Sequence, residues 1–502
     1  MQRTILVDGR TPEIRIAVLE DERLVELMVE RPEGRGLAGN IYKGRVNTIL
    51  PGMQSAFVDV GLERDAFLYV EDVAPPRTAA AAAPDPAAGG AGTVPVPAPP
   101  GDRPRIEDLL RVGQEILVQL ARDPLPHKGA RITTHISLPG RYLVYLPAMS
   151  HVGVSHRVSD PGERERLRSG VAELARTLGL EGGLIVRTAA EGKDVEEFRA
   201  DAAALAGGWE AIRRGAAGRV APALLHEEPG AIVRVLRDLF REDVQQVVID
   251  SETIHAEAAA YVGRTQPGLL SRLGRWEGDA PVFAARGLEG QIDKALRPRV
   301  WLKSGGSIVI QPTEALVAID VNTGKYVGTS QPEETILRTN LEAAVEIVRQ
   351  IRLRDLGGIL VIDFIDMQEE GSRTRVVEVL EQELRKDRAR SRVLGISEFG
   401  LVQITRQRGR PGAERVLTDA CPRCHGYGRI LSPETVAFRA LRALGSLPAG
   451  ADGGTVVLRV PADVAALLGR DPGGVVAAAG ARKVVVQADP GLAPDAFSLT
   501  VP

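Results

Sequence analysis

The chain has 502 residues, 44% of them hydrophobic and 4% aromatic, with 63 Lys and Arg against 66 Asp and Glu. That length exceeds the roughly 250–300 residues over which a single core grows, so several folded units are expected. A net charge of -3 and two cysteines argue against a uniformly basic chain and against a disulfide-stapled secreted domain; binding of nucleic acid would have to rest on local clusters of cations.

The first residues, MQRTILVDGRTPEIRIAVLED, carry acids throughout and lack an apolar core of signal-peptide type. No run approaches the roughly 18–20 apolar residues that span a bilayer. A soluble, cytoplasmic protein with no membrane segment is expected. Residues 1–35 alternate as strands, and "IYKGRVNTILPGMQSAFVDVGLERDAFLYVEDV" continues as short strands between glycine and proline turns, the pattern of a small β-barrel. Residues 74–104 are almost only Ala, Pro and Gly and read as a linker within that domain. Strands and polar helices mix over 135–230, and strand–helix alternation follows to 300.

The stretch 301–370 carries the most chemistry. "EALVAIDVNTGK" is an apolar strand ending in Asp320, Asn322 and Gly324. A helix follows, opened by a capping box of Ser330 and Glu333, with Leu337, Leu341, Ala344, Val345, Val348 and Ile351 on one face and Gly357 and Gly358 as its stop. "GILVIDFIDM" is the second strand, apolar until Asp363 and Asp366. A helical crossover makes the two strands parallel and brings Asp320 and Asp363 to one edge, where ligands of α/β sheets bind. Oxygen donors beside an Asn suit magnesium, which polarises a phosphodiester and activates water. The same acids could instead cap strand ends or pair with arginines.

"CPRCHGYG" holds both cysteines, Cys421 and Cys424, at the spacing of half a zinc site. A redox pair, or a site completed by His or carboxylate, has the same spacing. Gly426 and Gly428 favour a tight knuckle over a helix start.

Together, "NIYKGRV", "AFVDVG", "SGGSIVIQPTEALVAIDVNTGKYVG", "RQIRLRDLGGILVIDFIDM" and "CPRCHGYG" resemble the ribonuclease E/G family of bacterial endoribonucleases, in order over residues 1 to about 430. The 430–502 tail is similar to the shorter, ribonuclease G branch, without a long C-terminal scaffold region. The resemblance implies a multidomain α/β fold (α+β overall). Residues 1–35 with 232–296 would form a ribonuclease H-like subdomain, interrupted by an OB-type RNA-binding barrel at 36–134 and a 5′-phosphate sensor at 135–231. A deoxyribonuclease I-like catalytic subdomain at 297–417, a zinc link at 418–431 and a small C-terminal domain at 432–502 would follow.

The resemblance further implies that Asp320 and Asp363 hold catalytic Mg2+, with Asn322 orienting Asp320 or holding the scissile phosphate. Cys421 and Cys424 would share a structural Zn2+ with the same pair of a partner, giving a homodimer or a tetramer built from it. Phe57, Phe67 and Lys128 would face single-stranded RNA, since base stacking is worth about 1–3 kcal/mol per base. Arg187 and Thr188, with Gly140, Val144 and either His156 or Arg157, would hold a 5′-monophosphate. The implied activity is hydrolytic cleavage of single-stranded RNA in messenger RNA decay and ribosomal RNA 5′ maturation, leaving 3′-hydroxyl and 5′-phosphate ends. Gln403 stands where relatives often carry Glu, so no role is assigned to it. Some of the basic run Arg373, Arg375, Arg385, Lys386, Arg388, Arg390, Arg392, Arg406, Arg408 and Arg410 would meet phosphates. A catalytically idle RNA-binding protein of the same fold is the alternative, disfavoured because both Asp320 and Asp363 are present. A deoxyribonuclease is a further one.

Overall fold

The computed structural model describes residues 2–32, 36–73, 104–124, 129–150, 152–324, 332–397, 400–407, 412–424, 426–447, 455–480 and 482–501. Lys128, Ser330, His425, Arg408, Arg410 and nearly all of the Ala/Pro-rich stretch lie outside them. The chain divides into two compact units, residues 1–416 and 417–502.

In the first unit, the opening strand Arg3–Asp8 pairs antiparallel with Ile14–Glu20 and parallel with Val244–Ile249, far along the chain. Arg23–Glu30 and Leu273–Arg275 complete a five-stranded sheet. The helices Ala231–Leu239 and Glu252–Thr265 bury Val235, Leu236, Ala258 and Val262 against it.

Between those halves, Ile41–Leu50, Ser55–Asp59, Ala66–Tyr69, Glu115–Arg122 and Arg131–Thr133 form a closed five-stranded barrel. Taken in chain order as first to fifth, the strands run 1-2-3-5-4 and close back on the first, with third and fifth parallel. This is consistent with an OB-type barrel. Its interior is Val46, Ala56, Val58, Leu68, Val118 and Ile132. A four-stranded sheet follows, ordered Val152–Val154, Gly183–Val186, Leu143–Leu146, Leu138–Pro139 and packed on the helices Pro161–Thr177 and Arg199–Ala217.

The last part of the unit is a six-stranded sheet. Its order is Arg299–Trp301, Ser307–Pro312, Leu316–Asn322, Gly358–Asp363, Leu401–Arg406 and Ser391–Ile396. The helices Pro332–Leu353 and Glu370–Leu384 cover one face, where Ile308, Ile319, Ile347, Val348, Ile351, Leu360 and Val376 are buried. Burying each of these large side chains contributes about 2 kcal/mol.

Two local expectations for the long helix need correction, and the Ser330 half of its expected capping box lies outside the described residues. Val345 is 40% exposed, while Ala343 and Ile347 take the buried positions. The helix ends at Leu353, and the first residue to turn left-handed after it is Asp355 (φ 49°); Gly357 does not, and Gly358 (φ 99°) does so only where the next strand opens. Arg406 holds Asp355 there through a 2.7 Å ion pair, which offsets the strain of a non-glycine residue in that region. The Glu333 carboxylate accepts from the backbone N–H groups of Gln368 and Glu369, so it braces the loop after Asp363.

The helix has a second, polar buried face. Arg352 bonds Glu20 at 2.8 Å and Glu26 at 3.3 Å, and Arg349 donates to the carbonyl of Leu24. Arg388 also pairs with Glu26. These ties fix the six-stranded sheet against the N-terminal one.

The second unit contains a three-stranded sheet ordered Lys483–Ala488, Thr455–Val460, Ser498–Thr500, packed on the helices Pro433–Gly445, Ala462–Arg470 and Pro472–Ala479. Among the described residues, no helix is long and apolar enough to cross a membrane.

Candidate functional site

Leu316–Asn322 and Gly358–Asp363 are parallel, and their register sets Asp320 opposite Asp363. Ile319, Val321, Ile362 and Phe364 point into the core. The two-residue period of a strand therefore turns both aspartates to the exposed face, one strand spacing of about 4.8 Å apart. Asn322 lies two residues on, and its amide donates to Asp320 Oδ2 at 2.7 Å. Gly324 (φ 64°) turns the chain immediately afterwards against the carbonyl of Gly305, a contact that leaves no room for a Cβ.

Partial burial, then the negative charges of Asp320 and Asp366, hold the Asp363 carboxyl above its ordinary range. Like-charged carboxylates side by side form a site for a cation. Among the described residues, no group of three or more His, Cys, Asp or Glu side chains converges as a protein-enclosed metal site. Two carboxylates and an amide do suit Mg2+, which keeps several waters and shares its remaining positions with phosphate oxygens.

The expected phosphate pocket is arranged differently from the sequence reading. Arg187 is 5% exposed and turned inward, bonding Asp238 at 2.7 Å and the carbonyl of Gly140. Gly140 does not face an open pocket, because the Asp201 carboxylate fills the space beside it. That carboxylate accepts from the N–H groups of Arg141, Tyr142 and Leu143. Val144 is buried within its strand.

Thr188 and Arg157 do line a cavity, of about 190 Å³, together with the cations Arg3, Arg241, Arg385, Lys386 and Arg388 and the acids Glu26, Asp238 and Asp387; those acids are paired with Arg388, Arg187 and Arg406 respectively. His156, the other residue considered for this role, is exposed and lies outside the cavity lining. The Arg241 guanidinium makes no hydrogen bond or ion pair with another described residue; its backbone carbonyl accepts from the N–H of Val244. Burial, then the cations of Arg187 and Arg141, push its pKa below the ordinary guanidinium value. An anion in the cavity would relieve that penalty. Sequence reasoning missed Arg241, since "FREDV" carries no local signal. Of the basic run, Arg406 is buried and committed to Asp387 and Asp355, so it is not a phosphate contact.

Phe57 and Phe67 are direct cross-strand partners on the barrel. Ala56, Val58, Ala66 and Leu68 point inward, so both rings lie on the outside, partly exposed, edge to face at 5.9 Å.

In the 417–502 unit, Cys421 is an exposed free thiol and Cys424 is half-buried. Backbone N–H groups of Cys424 and Arg423 and the Cys424 side chain lower the Cys421 pKa. Gly426 (φ 89°) and Gly428 (φ 72°) turn the chain tightly behind them. Amide-supported thiols in such a knuckle fit half of a tetrahedral Zn2+ site.

Comparisons with known proteins agree on one family. The model of the "Ribonuclease E/G family" matches residues 137–409. The chain is 41% identical over 450 residues to Ribonuclease G of Escherichia coli (strain K12), covering 88% of each chain. It is 40% identical over 450 residues to Ribonuclease G of Salmonella typhimurium (strain SL1344), again 88% of each. With Ribonuclease E of Escherichia coli (strain K12) it shares 38% identity over 445 residues, 88% of this chain but 40% of that one.

Proposed function

The chain belongs to the ribonuclease E/G family, and we propose that it is a magnesium-dependent endoribonuclease that hydrolyses single-stranded RNA. The observation that carries this reading is the register pairing of Asp320 with Asp363 on the exposed face of the sheet. When bound there, Mg2+ would supply Lewis-acid polarisation of the scissile phosphate and a water of lowered pKa. Asp320 and Asp363 would hold the ion, and Asn322 keeps Asp320 in one orientation. A water oxygen forms the new bond to phosphorus while the P–O3′ bond breaks, and the departing O3′ takes up a proton in exchange for the one the water gives up. The products are a 5′-phosphate and a 3′-hydroxyl.

In this reading the six-stranded sheet is the deoxyribonuclease I-like catalytic part, and the first sheet is the ribonuclease H-like part. The OB-type barrel presents Phe57 and Phe67 to bases, with Lys128 beside the strand. The cavity lined by Thr188, Arg157 and Arg241 receives a 5′-monophosphate and favours RNA that carries one. Cys421 and Cys424 share one Zn2+ with a partner's pair in a homodimer. Decay of messenger RNA and 5′ maturation of ribosomal RNA in the cytoplasm are the processes such an enzyme would serve.

The test is cleavage of a short single-stranded RNA by purified protein with Mg2+. Asp320→Asn should lower cleavage by roughly three orders of magnitude while RNA binding persists, and replacing the RNA by DNA of the same sequence should greatly slow the reaction. Equal cleavage by Asp320→Asn would remove the carboxylates from the mechanism.

A further inference from the structure

Trp301 ends the edge strand Arg299–Trp301 and is 68% exposed. Its flanking residues turn the other way: Val300 packs against the core and Leu302 is buried. Trp301 pairs with Ser307, and Ser307 pairs in turn with Asn322. One row along, Arg299, Val309, Asp320 and Asp363 are successive partners across four strands. Directly opposed residues project to the same face. The indole therefore stands on the same face as the carboxylate pair, two strand spacings, or about 10 Å, from the strand of Asn322.

The surroundings of the ring are cationic. The Arg299 guanidinium lies 5.8 Å from the ring centroid and donates to Ser307 Oγ at 3.0 Å. Lys303, on the turn that follows, is exposed. A large exposed aromatic ring with neighbouring cations, continuous with a phosphodiester site, has the chemistry of a single-strand platform: the ring takes a base and the cations take the backbone.

We propose that Trp301 stacks on the base of a nucleotide adjoining the scissile phosphate, with Arg299 meeting a neighbouring phosphate. Trp301 would then help decide which base stands next to the cleaved bond. The inference rests on the endoribonuclease reading and concerns contacts on the catalytic sheet, separate from the barrel and the 5′ cavity.

The test uses the full chain and a single-stranded RNA with a 5′-hydroxyl end, which keeps the 5′ cavity out of the measurement. Trp301→Ala should raise KM about tenfold, the effect of losing one stacked base, with little change in kcat. Trp301→Phe should restore most of that loss, because a smaller ring still stacks. RNA should quench the tryptophan fluorescence of the Asp320→Asn protein, and the added Trp301→Phe change should remove most of the quench. Sequencing of the cleaved ends should show a flatter base preference beside the cut in Trp301→Ala. Absence of cleavage by the unmodified protein would count against the endoribonuclease reading itself. Normal cleavage with an unchanged KM in Trp301→Ala would overturn only the Trp301 assignment. So would a fall in sedimenting mass at constant KM, which would make this face a contact between protein chains.

Discussion

The side-chain amide of Asn322 donates to Oδ2 of Asp320 over 2.7 Å, so one member of the carboxylate pair is held by a residue on its own strand. Partners that orient a metal ligand are worth about 10–100-fold in metal affinity or activity. Asn322→Ala is expected to lower Mg2+-dependent cleavage by that factor, and higher Mg2+ should recover part of it. Asp320→Asn and Asp363→Asn should each cost roughly three orders of magnitude, the scale of removing a main electrostatic contact to the reacting phosphate. Single-turnover rates across a Mg2+ titration check both.

Arg187 and Arg241 divide two tasks that the sequence had given to one residue. Arg187 is neutralised by Asp238, whose carboxyl the Arg237 and Arg187 cations hold far below its usual range against the effect of burial. Arg241 faces the cavity without such a partner. Arg241→Ala should bring cleavage of 5′-monophosphate RNA down to the rate of 5′-hydroxyl RNA while leaving the latter almost unchanged. Asp238→Asn should instead lower the melting temperature, since breaking a buried pair costs about 3–5 kcal/mol. Rates on the two RNA ends, measured beside thermal melts, separate the two roles.

Cys421 and Cys424 predict a stoichiometry. On the proposed shared site, with two thiolates from each of two chains as its four ligands, the purified protein should carry half a zinc ion per chain. The Cys421→Ser, Cys424→Ser double variant should contain no zinc and sediment at half the mass of the unmodified protein. One full zinc per chain would mean that each chain completes its own site.

Glu20 and Glu26 give the first unit an acid-sensitive seam. Burial disfavours their charged forms, but Arg352 and Arg3 for Glu20, and Arg388 and Arg352 for Glu26, outweigh it and lower both pKa values. A folded pKa below the unfolded one, about 4.3 for Glu, stabilises the fold above that value and ceases to do so as pH falls through the folded pKa. Thermal stability should therefore be level near neutral pH and drop below about pH 4. Glu26→Gln should cost about 1–3 kcal/mol at neutral pH, where it weakens the tie on Arg352, and much less in acid. Melts at several pH values would show the two curves converging on the acid side.

The parts of this chain that were legible in the sequence are those governed by neighbours in the chain. Apolar strands ending in Asp320 and Asp363, with an amphipathic helix between them, already implied a parallel pair and a shared edge. Alternation also placed the barrel strands, but it could not say which way Phe57 and Phe67 face; the inward turn of Ala56, Val58, Ala66 and Leu68 settles that. What was hidden depends on distant partners. Arg187 meets Asp238 and Gly140 meets Asp201, residues 51 and 61 positions away, so the pocket seen in the linear motif is filled by other side chains. The pairing of Arg3–Asp8 with Val244–Ile249 left no local trace and came only with the family resemblance. The stop of the long helix was misplaced because Asp355, secured by Arg406, takes the left-handed conformation usually left to glycine. Val345 was misplaced because, at 100° per residue, it falls at the margin of the stripe that Ala343, Ala344, Ile347, Val348 and Ile351 bury.

The most direct test of the central claim is single-turnover cleavage of one short single-stranded RNA with Mg2+, by the unmodified protein and by Asp363→Asn at equal RNA occupancy. The account predicts cleavage that leaves a 3′-hydroxyl and a 5′-phosphate, needs Mg2+, and falls by roughly three orders of magnitude in Asp363→Asn with RNA affinity retained. Cleavage that persists in Asp363→Asn, or that proceeds equally well in excess chelator, would contradict it.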